Sequence, residues 1–282
     1  MEFISPAQIR RIASEYGFVF KKGLGQNFLS SQEVLEGIAS AAEIKDGGVI
    51  EIGPGFGVLT NELAKCAKKV VALEIDQRLI PILSDTLSEY TNVKIINQDI
   101  LKTDVKKIIE DEFDGMRVSI AANLPYYITT PIITGLLENH LPIENLVVMV
   151  QKEVADRLTA SPSSKNYGSI SILCQYYTEP ELLQIVPAEM FVPPPKVDSA
   201  VVKMKLRKTP AVTVKDEKLF YRTVKAAFSQ RRKTLLNCLT ANFSHDKSQL
   251  SDILNSVGID PKRRGETLTL EEFALLSDAL TL

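Results

Sequence analysis

Residues 121–129 read AANLPYYIT: an apolar run ends in an amide, a proline and two adjacent tyrosines. Asn and Pro are ordinary turn formers at a strand end, but Asn123, Leu124, Pro125 and Tyr126 together also suit one kind of chemistry. The exocyclic amine of adenine is a poor nucleophile because its lone pair is delocalised into the ring. Two acceptors aimed at its hydrogens would favour a pyramidal nitrogen whose lone pair can attack. The side-chain oxygen of Asn123 and the backbone carbonyl of Leu124 can supply them, with Pro125 fixing the chain direction. Tyr126 can stack on the base, a contact worth roughly 1–3 kcal/mol by analogy with single-strand binders. Transfer of a carbon group to such a nitrogen is an in-line displacement, in which alignment matters more than a general base. Tyr127 has no role in this scheme beyond packing beneath its neighbour.

A second group of residues could hold the donor. VIEIGPGFGVLT sets Gly53, Gly55 and Gly57 between a short apolar run and a helical pattern, with Glu51 just before them. Glycines there let backbone approach a ligand closely, and the helix start adds unpaired N–H groups suited to a carboxylate or phosphate. The dinucleotide fingerprint needs G-x-G-x-x-G, whereas here the third glycine comes one residue early and Val58 fills its place. E-x-G-x-G-x-G instead resembles the loop of S-adenosylmethionine-dependent methyltransferases. Glu74 follows Gly53 by 21 residues and could accept both ribose hydroxyls, a feature common to both cofactor classes. Asp99, in NQDIL, could accept from the adenine amine or could equally be a helix cap.

The elements that must position these residues follow from the apolar periodicity. GGVIEIG, KVVALEID, NVKIINQD, MRVSIAAN and ENLVVMVQ are short buried strands. Helical patterns (FGVLTNELAKCA, QRLIPILSDTLSEY, VKKIIEDEF, TPIITGLLENH) separate them. That alternation predicts a parallel sheet covered on both faces, with ligand-binding loops at the carboxyl ends of its strands. Ahead of it, SPAQIRRIASEYG predicts a helix capped by Ser5 and stopped by Gly17. FVFKKGLGQNFL predicts an ordered loop, and SSQEVLEGIASAAEI a helix capped by Ser30 or Ser31. Near residue 180 the proline content rises, and LLQIV and SAVVKMKL read as a hairpin-like addition to the sheet. Residues 216–282 read as all helical, with EKLFYRTVKAAFSQRRKTLLNCL as one helical stretch.

At this level the chain resembles the ribosomal RNA adenine dimethyltransferases, nearest to those of the bacterial small subunit. KKGLGQNFL, VIEIGPGFGVLT, LEID, QDIL, NLPYYIT, MVQKEVADRL, YGSISILCQYY, FVPPPKVDSAVV and FSQRRKTLLN occur in that family's order between about residues 21 and 237. The resemblance implies a Rossmann-like class I S-adenosylmethionine-dependent methyltransferase fold over residues 1–207. A small helical rRNA-binding domain would occupy 208–282. It implies dimethylation of two adjacent adenosines near the 3′ end of 16S rRNA in the assembling 30S subunit. It also implies that Asn27 and Leu29 close over the cofactor, whose other contacts are Gly53, Gly55, Glu74, Ile75, Asp99, Ile100 and Asn123. Asn123 would then touch both cofactor and target. Phe191, read from the residues alone as an aromatic near a proline run, would sandwich the adenine against Tyr126. Lys21, Lys22, Arg231, Arg232 and Lys233 would contact RNA, with Lys262, Arg263 and Arg264 as a further basic triplet.

Composition agrees with a cytoplasmic protein without metal or membrane span, and a monomer is expected. The 282 residues are 45% hydrophobic and 24% charged, and three cysteines and two histidines stand apart in sequence. The start MEFISPAQIRR lacks the order of a secretory signal. A net charge of −2 hides an asymmetry: residues 1–182 hold 17 basic against 24 acidic side chains, residues 183–282 hold 16 against 11. One end is therefore basic enough to meet RNA. Three other classes share part of the pattern. A large-subunit enzyme of the macrolide-resistance type shares the glycine loop and aromatic pair. A noncatalytic assembly factor fits poorly with intact Glu74, Asn123 and Tyr126. A nicotinamide dehydrogenase fits poorly with the glycine spacing.

Overall fold

The computed structural model describes residues 5–20 and 26–281. Lys21 and Lys22 lie outside them. The chain divides into two units, one of Met1–Ala155 with Pro180–Leu206 and one of Asp156–Glu179 with Arg207–Leu282.

The first unit opens with helix α1 (Pro6–Glu15), where Ser5 accepts from the Gln8 amide and the Gln8 side chain accepts from Ser5 in return. This reciprocal cap fixes the helix start as the sequence led us to expect. Two-residue strand β1 (Phe28–Leu29) interrupts the expected loop, and α2 (Gln32–Ala41) follows with Ser31 at its cap position but making no side-chain cap bond. Then come β2 (Gly48–Ile52), α3 (Val58–Cys66), β3 (Lys69–Glu74), α4 (Ile80–Thr86), β4 (Val93–Asn97), α5 (Val105–Phe113), β5 (Val118–Asn123), α6 (Thr129–Glu138) and β6 (Asn145–Gln151). All five expected strands are present. They run parallel within a seven-stranded sheet of order β4-β3-β2-β5-β6-β9-β7, where β7 is Thr178–Val186 and β9 is Ser199–Leu206. β9 is antiparallel to β6 and neighbours β7, the addition expected from LLQIV and SAVVKMKL. β8 (Phe191–Val192) pairs separately with β1.

Every residue of β2 is buried, as are nearly all of β3, β5 and β6. Strands so enclosed must be covered on both faces, which is why they read as unbroken apolar runs. The strand order explains where a site forms. From β2 the chain moves outward to β3 and β4, then returns to place β5 on the other side of β2. Loops leaving β2 and β5 therefore diverge, and the crevice between them opens at their carboxyl ends, beside Gly53 and Asn123.

In the second unit, α8 (Ser169–Tyr177) packs on α9 (Glu217–Ala227) and α12 (Leu270–Ala279); α10 (Leu235–Thr240) packs on α9 and on α11 (Lys247–Ser256). The expected single cut after residue 207 therefore differs from the division of the fold. Asp156–Glu179 belongs with the C-terminal helices because Tyr176 stacks on Phe220 at 4.9 Å and the Tyr167 hydroxyl donates to the Leu268 carbonyl at 3.0 Å. The sequence pattern assigned no element there; α7 (Lys152–Leu158) and α8 fill it. The stretch expected as one helix through Arg231–Lys233 is also broken. α9 ends at Ala227, and Thr234 caps α10 by accepting from the Asn237 amide. Arg231, Arg232 and Lys233 are exposed in the turn between them.

Candidate active site

Asn123 ends β5, and the turn after it is held from several sides. The Leu124 amide donates to the Met149 carbonyl of β6 at 3.1 Å. The Pro125 carbonyl accepts from the Ile128 amide at 3.2 Å and from the Thr129 hydroxyl at 3.0 Å. The Asn123 side-chain nitrogen donates to the Asn27 carbonyl at 3.1 Å. That bond orients the amide, with its nitrogen toward Asn27 and its oxygen left as an acceptor. The Tyr126 hydroxyl lies 2.7 Å from Ser199 Oγ, and burial raises its pKa. With the hydroxyl engaged, what Tyr126 can offer a ligand is its ring.

Facing this turn is the glycine loop. Gly53, Gly55 and Gly57 all have positive φ, at 71°, 60° and 87°. The Gly55 amide donates to Glu74 Oε2 at 3.3 Å, and Glu74 Oε1 accepts from the Asp76 amide at 2.7 Å. Even with both donors, burial pushes the Glu74 carboxyl up to about 7. Glu51 is more extreme. Its Oε2 is buried without a hydrogen-bond partner, as is the Thr60 hydroxyl, and burial pushes the carboxyl up to about 8. A buried polar atom of this kind points to a missing partner.

Glu51, Gly53, Gly55, Glu74 and the Asn123–Tyr126 turn line one cleft enclosing about 890 Å3, part of it open solvent, whereas Gly57 is off its wall and faces Leu83 and Leu87. Of the residues singled out from the sequence, Asn27, Leu29, Gly53, Gly55, Glu74, Ile75, Asn123, Leu124, Pro125 and Tyr126 are on its wall. Asp99 and Ile100 are not. They follow edge strand β4, and Asp99 Oδ1 accepts from the Leu101 amide at 3.0 Å, capping the short 3-10 turn Ile100–Lys102; the helix after Thr103, α5, is capped instead by Asp104, which accepts from the Lys107 amide at 3.0 Å. Phe191 is also off the wall. It is 2% exposed, pairs with Leu29 across β1 and β8, and belongs to the hydrophobic core. Its ring is thus satisfied by core packing beside the two-stranded β1–β8 pair. Tyr127 differs too: it is 55% exposed and lines the cleft, and does not pack beneath Tyr126. In the second unit, Arg231 bonds Glu266 at 3.3 Å and the Lys165 carbonyl, and Arg263 forks onto Glu272. Both have structural partners, whereas Arg232 and Lys233 project from the turn.

Sequence reasoning noted Glu51 only as an acid before the glycines, and missed Gln26 and Ser199. Gln26 lines the cleft and donates to Asp76 Oδ2 at 3.0 Å, beside Glu74. A serine opening an apolar strand was the available signal for Ser199. Among the described residues no cluster of His, Cys, Asp or Glu could hold a metal, and no helix is long and apolar enough to cross a membrane.

Comparison with known proteins decides the family. The profile described as ribosomal RNA adenine dimethylase matches residues 17–276. The chain belongs to that family. Ribosomal RNA small subunit methyltransferase A of Geobacillus sp. (strain WCH70) is 55% identical over 99% of this chain and 98% of the relative. The protein of that name from Bacillus mycoides (strain KBAB4) is 56% identical over 100% and 98%. Among solved structures, a dimethyladenosine transferase from Plasmodium falciparum superposes with TM-score 0.75 at 27% identity, covering 88% of this chain and 95% of that one. The 23S rRNA methyltransferase ErmE gives 0.68 at 26%, covering 91% and 100%. The fold is the Rossmann-like class I methyltransferase fold with a helical C-terminal extension.

Proposed function

We infer that the protein dimethylates the exocyclic amines of two adjacent adenosines near the 3′ end of 16S rRNA. It uses S-adenosylmethionine and acts as a monomer on the assembling 30S subunit in the cytoplasm. One observation carries this reading: a single cleft joins the glycine loop and Glu74 to the Asn123–Tyr126 turn. The family's fold supports both large- and small-subunit enzymes, so the choice of small subunit rests on the 55–56% identity to proteins of that name.

The cleft suits the proposed cofactor. Glu74 is a carboxylate for two ribose hydroxyls, Gly53 and Gly55 let backbone approach the amino-acid arm, and the unpartnered Glu51 Oε2 can receive a cationic N–H. Ile75, on the cleft wall, would pack against the adenine, and Asp99 and Ile100, off that wall, would reach it only by releasing the Leu101 amide. When bound, S-adenosylmethionine supplies an electrophilic methyl on sulfonium sulfur. The chain's residues do the rest. Asn123 Oδ1 and the Leu124 carbonyl accept from the amine hydrogens and draw its lone pair out of the ring. Tyr126 stacks on the base, while Leu29 and Pro125 keep water from the reacting atoms. Each transfer forms an N–C bond and breaks the S–C bond with its electron pair going to sulfur. After the transfer one proton leaves the nitrogen for solvent at the open mouth of the cleft. Exposed Arg232 and Lys233 would contact RNA phosphates, as would Lys21 and Lys22.

Incubating the protein with labelled S-adenosylmethionine and unmethylated 30S subunits should yield dimethyladenosine in 16S rRNA. Absence of label there, or label in 23S rRNA, would overturn the reading. The raised Glu74 pKa adds a pH prediction. Its folded value of about 7 lies above the ordinary 4.5, so the ligand-free site holds a proton that two ribose donors must displace. Cofactor affinity should therefore rise about tenfold from pH 6 to pH 8 through Glu74 alone, and further because Glu51, pushed up to about 8, must also lose its proton to receive a cation, with proton release seen by calorimetry in buffers of different ionisation heat. Affinity flat over that range would remove the Glu74 carboxylate as the ribose acceptor.

A further inference from the structure

Ser199 opens β9, is fully buried, and sits opposite Gln151 in the antiparallel pairing with β6. Its hydroxyl is 2.7 Å from that of Tyr126, 73 residues away in sequence. The neighbouring strand β6 holds the same turn by its main chain, through the 3.1 Å bond from the Leu124 amide to the Met149 carbonyl. The β6–β9 ribbon thus grips the turn twice, at the backbone that bears one acceptor carbonyl and at the far end of the stacking ring. A site group is only as well placed as the side chains that hold it, and tolerances near 0.5 Å matter.

We propose that Ser199 is a positioning residue for methyl transfer, fixing the Tyr126 ring relative to the Leu124 carbonyl and mattering more for the second methyl than for the first. The proposal rests on the reading that Tyr126 stacks on the target adenine. The asymmetry comes from counting hydrogens. The unmodified amine offers two N–H groups to two acceptors, so polar contacts and stacking share the work of orientation. After one transfer only one N–H remains. One acceptor contact is gone, and the ring carries more of the alignment.

The test uses the full-length protein, unmethylated 30S subunits and saturating labelled S-adenosylmethionine, with Ser199→Ala, Tyr126→Phe and the double variant. Each single variant should lower kcat by about 10- to 100-fold, the scale of a small misplacement of reacting groups, with KM for the cofactor nearly unchanged. Monomethyladenosine should accumulate relative to dimethyladenosine. The double variant should be no slower than the slower single one, because both remove the same bond. Products are compared at equal total methyl incorporation, where a loss of folded protein scales both methylation steps together and leaves the product ratio alone. An unchanged ratio in Ser199→Ala or Tyr126→Phe, or effects that multiply in the double variant, would overturn the proposal. If Ser199→Ala does not fold, Tyr126→Phe still decides by its ratio. Failure of the functional reading is separate, since the wild type would then make no dimethyladenosine.

Discussion

Asn123→Ala is expected to slow methyl transfer by about 100- to 1,000-fold, the range for removing one preorganised hydrogen-bonding group from a reacting centre. The loss should fall on turnover. The turn keeps its backbone anchors without the side chain, since the Leu124 amide still reaches Met149 and Pro125 still accepts from Ile128 and Thr129. Cofactor affinity should fall by the worth of about one hydrogen bond, ~1 kcal/mol, and RNA affinity should hardly move. Asn123→Asp separates the two jobs of the amide. It retains an acceptor but loses the donor that meets the Asn27 carbonyl at 3.1 Å, setting two oxygens against each other. Its rate should fall between those of wild type and Asn123→Ala. Single-turnover rates and equilibrium binding of both ligands make the measurement. A turnover close to wild type in Asn123→Ala would take the residue out of the mechanism.

The parts of this molecule legible in sequence are those whose physics is local. Five buried strands alternating with helical periods leave little choice of sheet, and three glycines at a strand end mark close backbone approach. NLPY could be assigned a chemistry residue by residue because its groups act at short range. What escaped depends on partners distant in sequence. The break at Ser229–Lys233 is invisible in a chain of good helix formers, because Thr234 is a cap only once α10 packs. Asp156–Glu179 joins the second unit through ring contacts such as Tyr176 on Phe220, which no periodicity announces. Phe191 draws its role from family resemblance alone: its partners in β1 and the core keep it 2% exposed, and neither they nor its sequence neighbours point to a base. Glu51 was in plain view as a letter, but its unpartnered oxygen exists only because β2 is buried on both faces.

Gly55→Ala should damage both halves of the site with one methyl group. At φ 60° an L side chain costs ~1–2 kcal/mol. The added Cβ would also stand 2.6 and 2.9 Å from the Cε1 and Cδ1 of Phe28. That ring cannot simply turn away, because it is stacked on Phe56 at 4.3 Å and edged by Phe18 and Phe20. Overpacking of this kind costs a further ~1–3 kcal/mol. Relief must come by shifting β1, which carries Leu29 and follows directly on Asn27, or by shifting the loop whose amide meets Glu74. The first route frees the Asn123 amide and the second removes a donor from the ribose acceptor. Cofactor affinity should therefore fall by about 100-fold or more, and the thermal midpoint by several degrees. Gly115→Ala is the control. It shares a positive φ, 72°, but a Cβ there meets nothing within 4 Å, so it should lose stability from strain alone and bind cofactor normally. Equal cofactor affinities for the two variants would mean that the close approach of Phe28 to Gly55 does not shape the site.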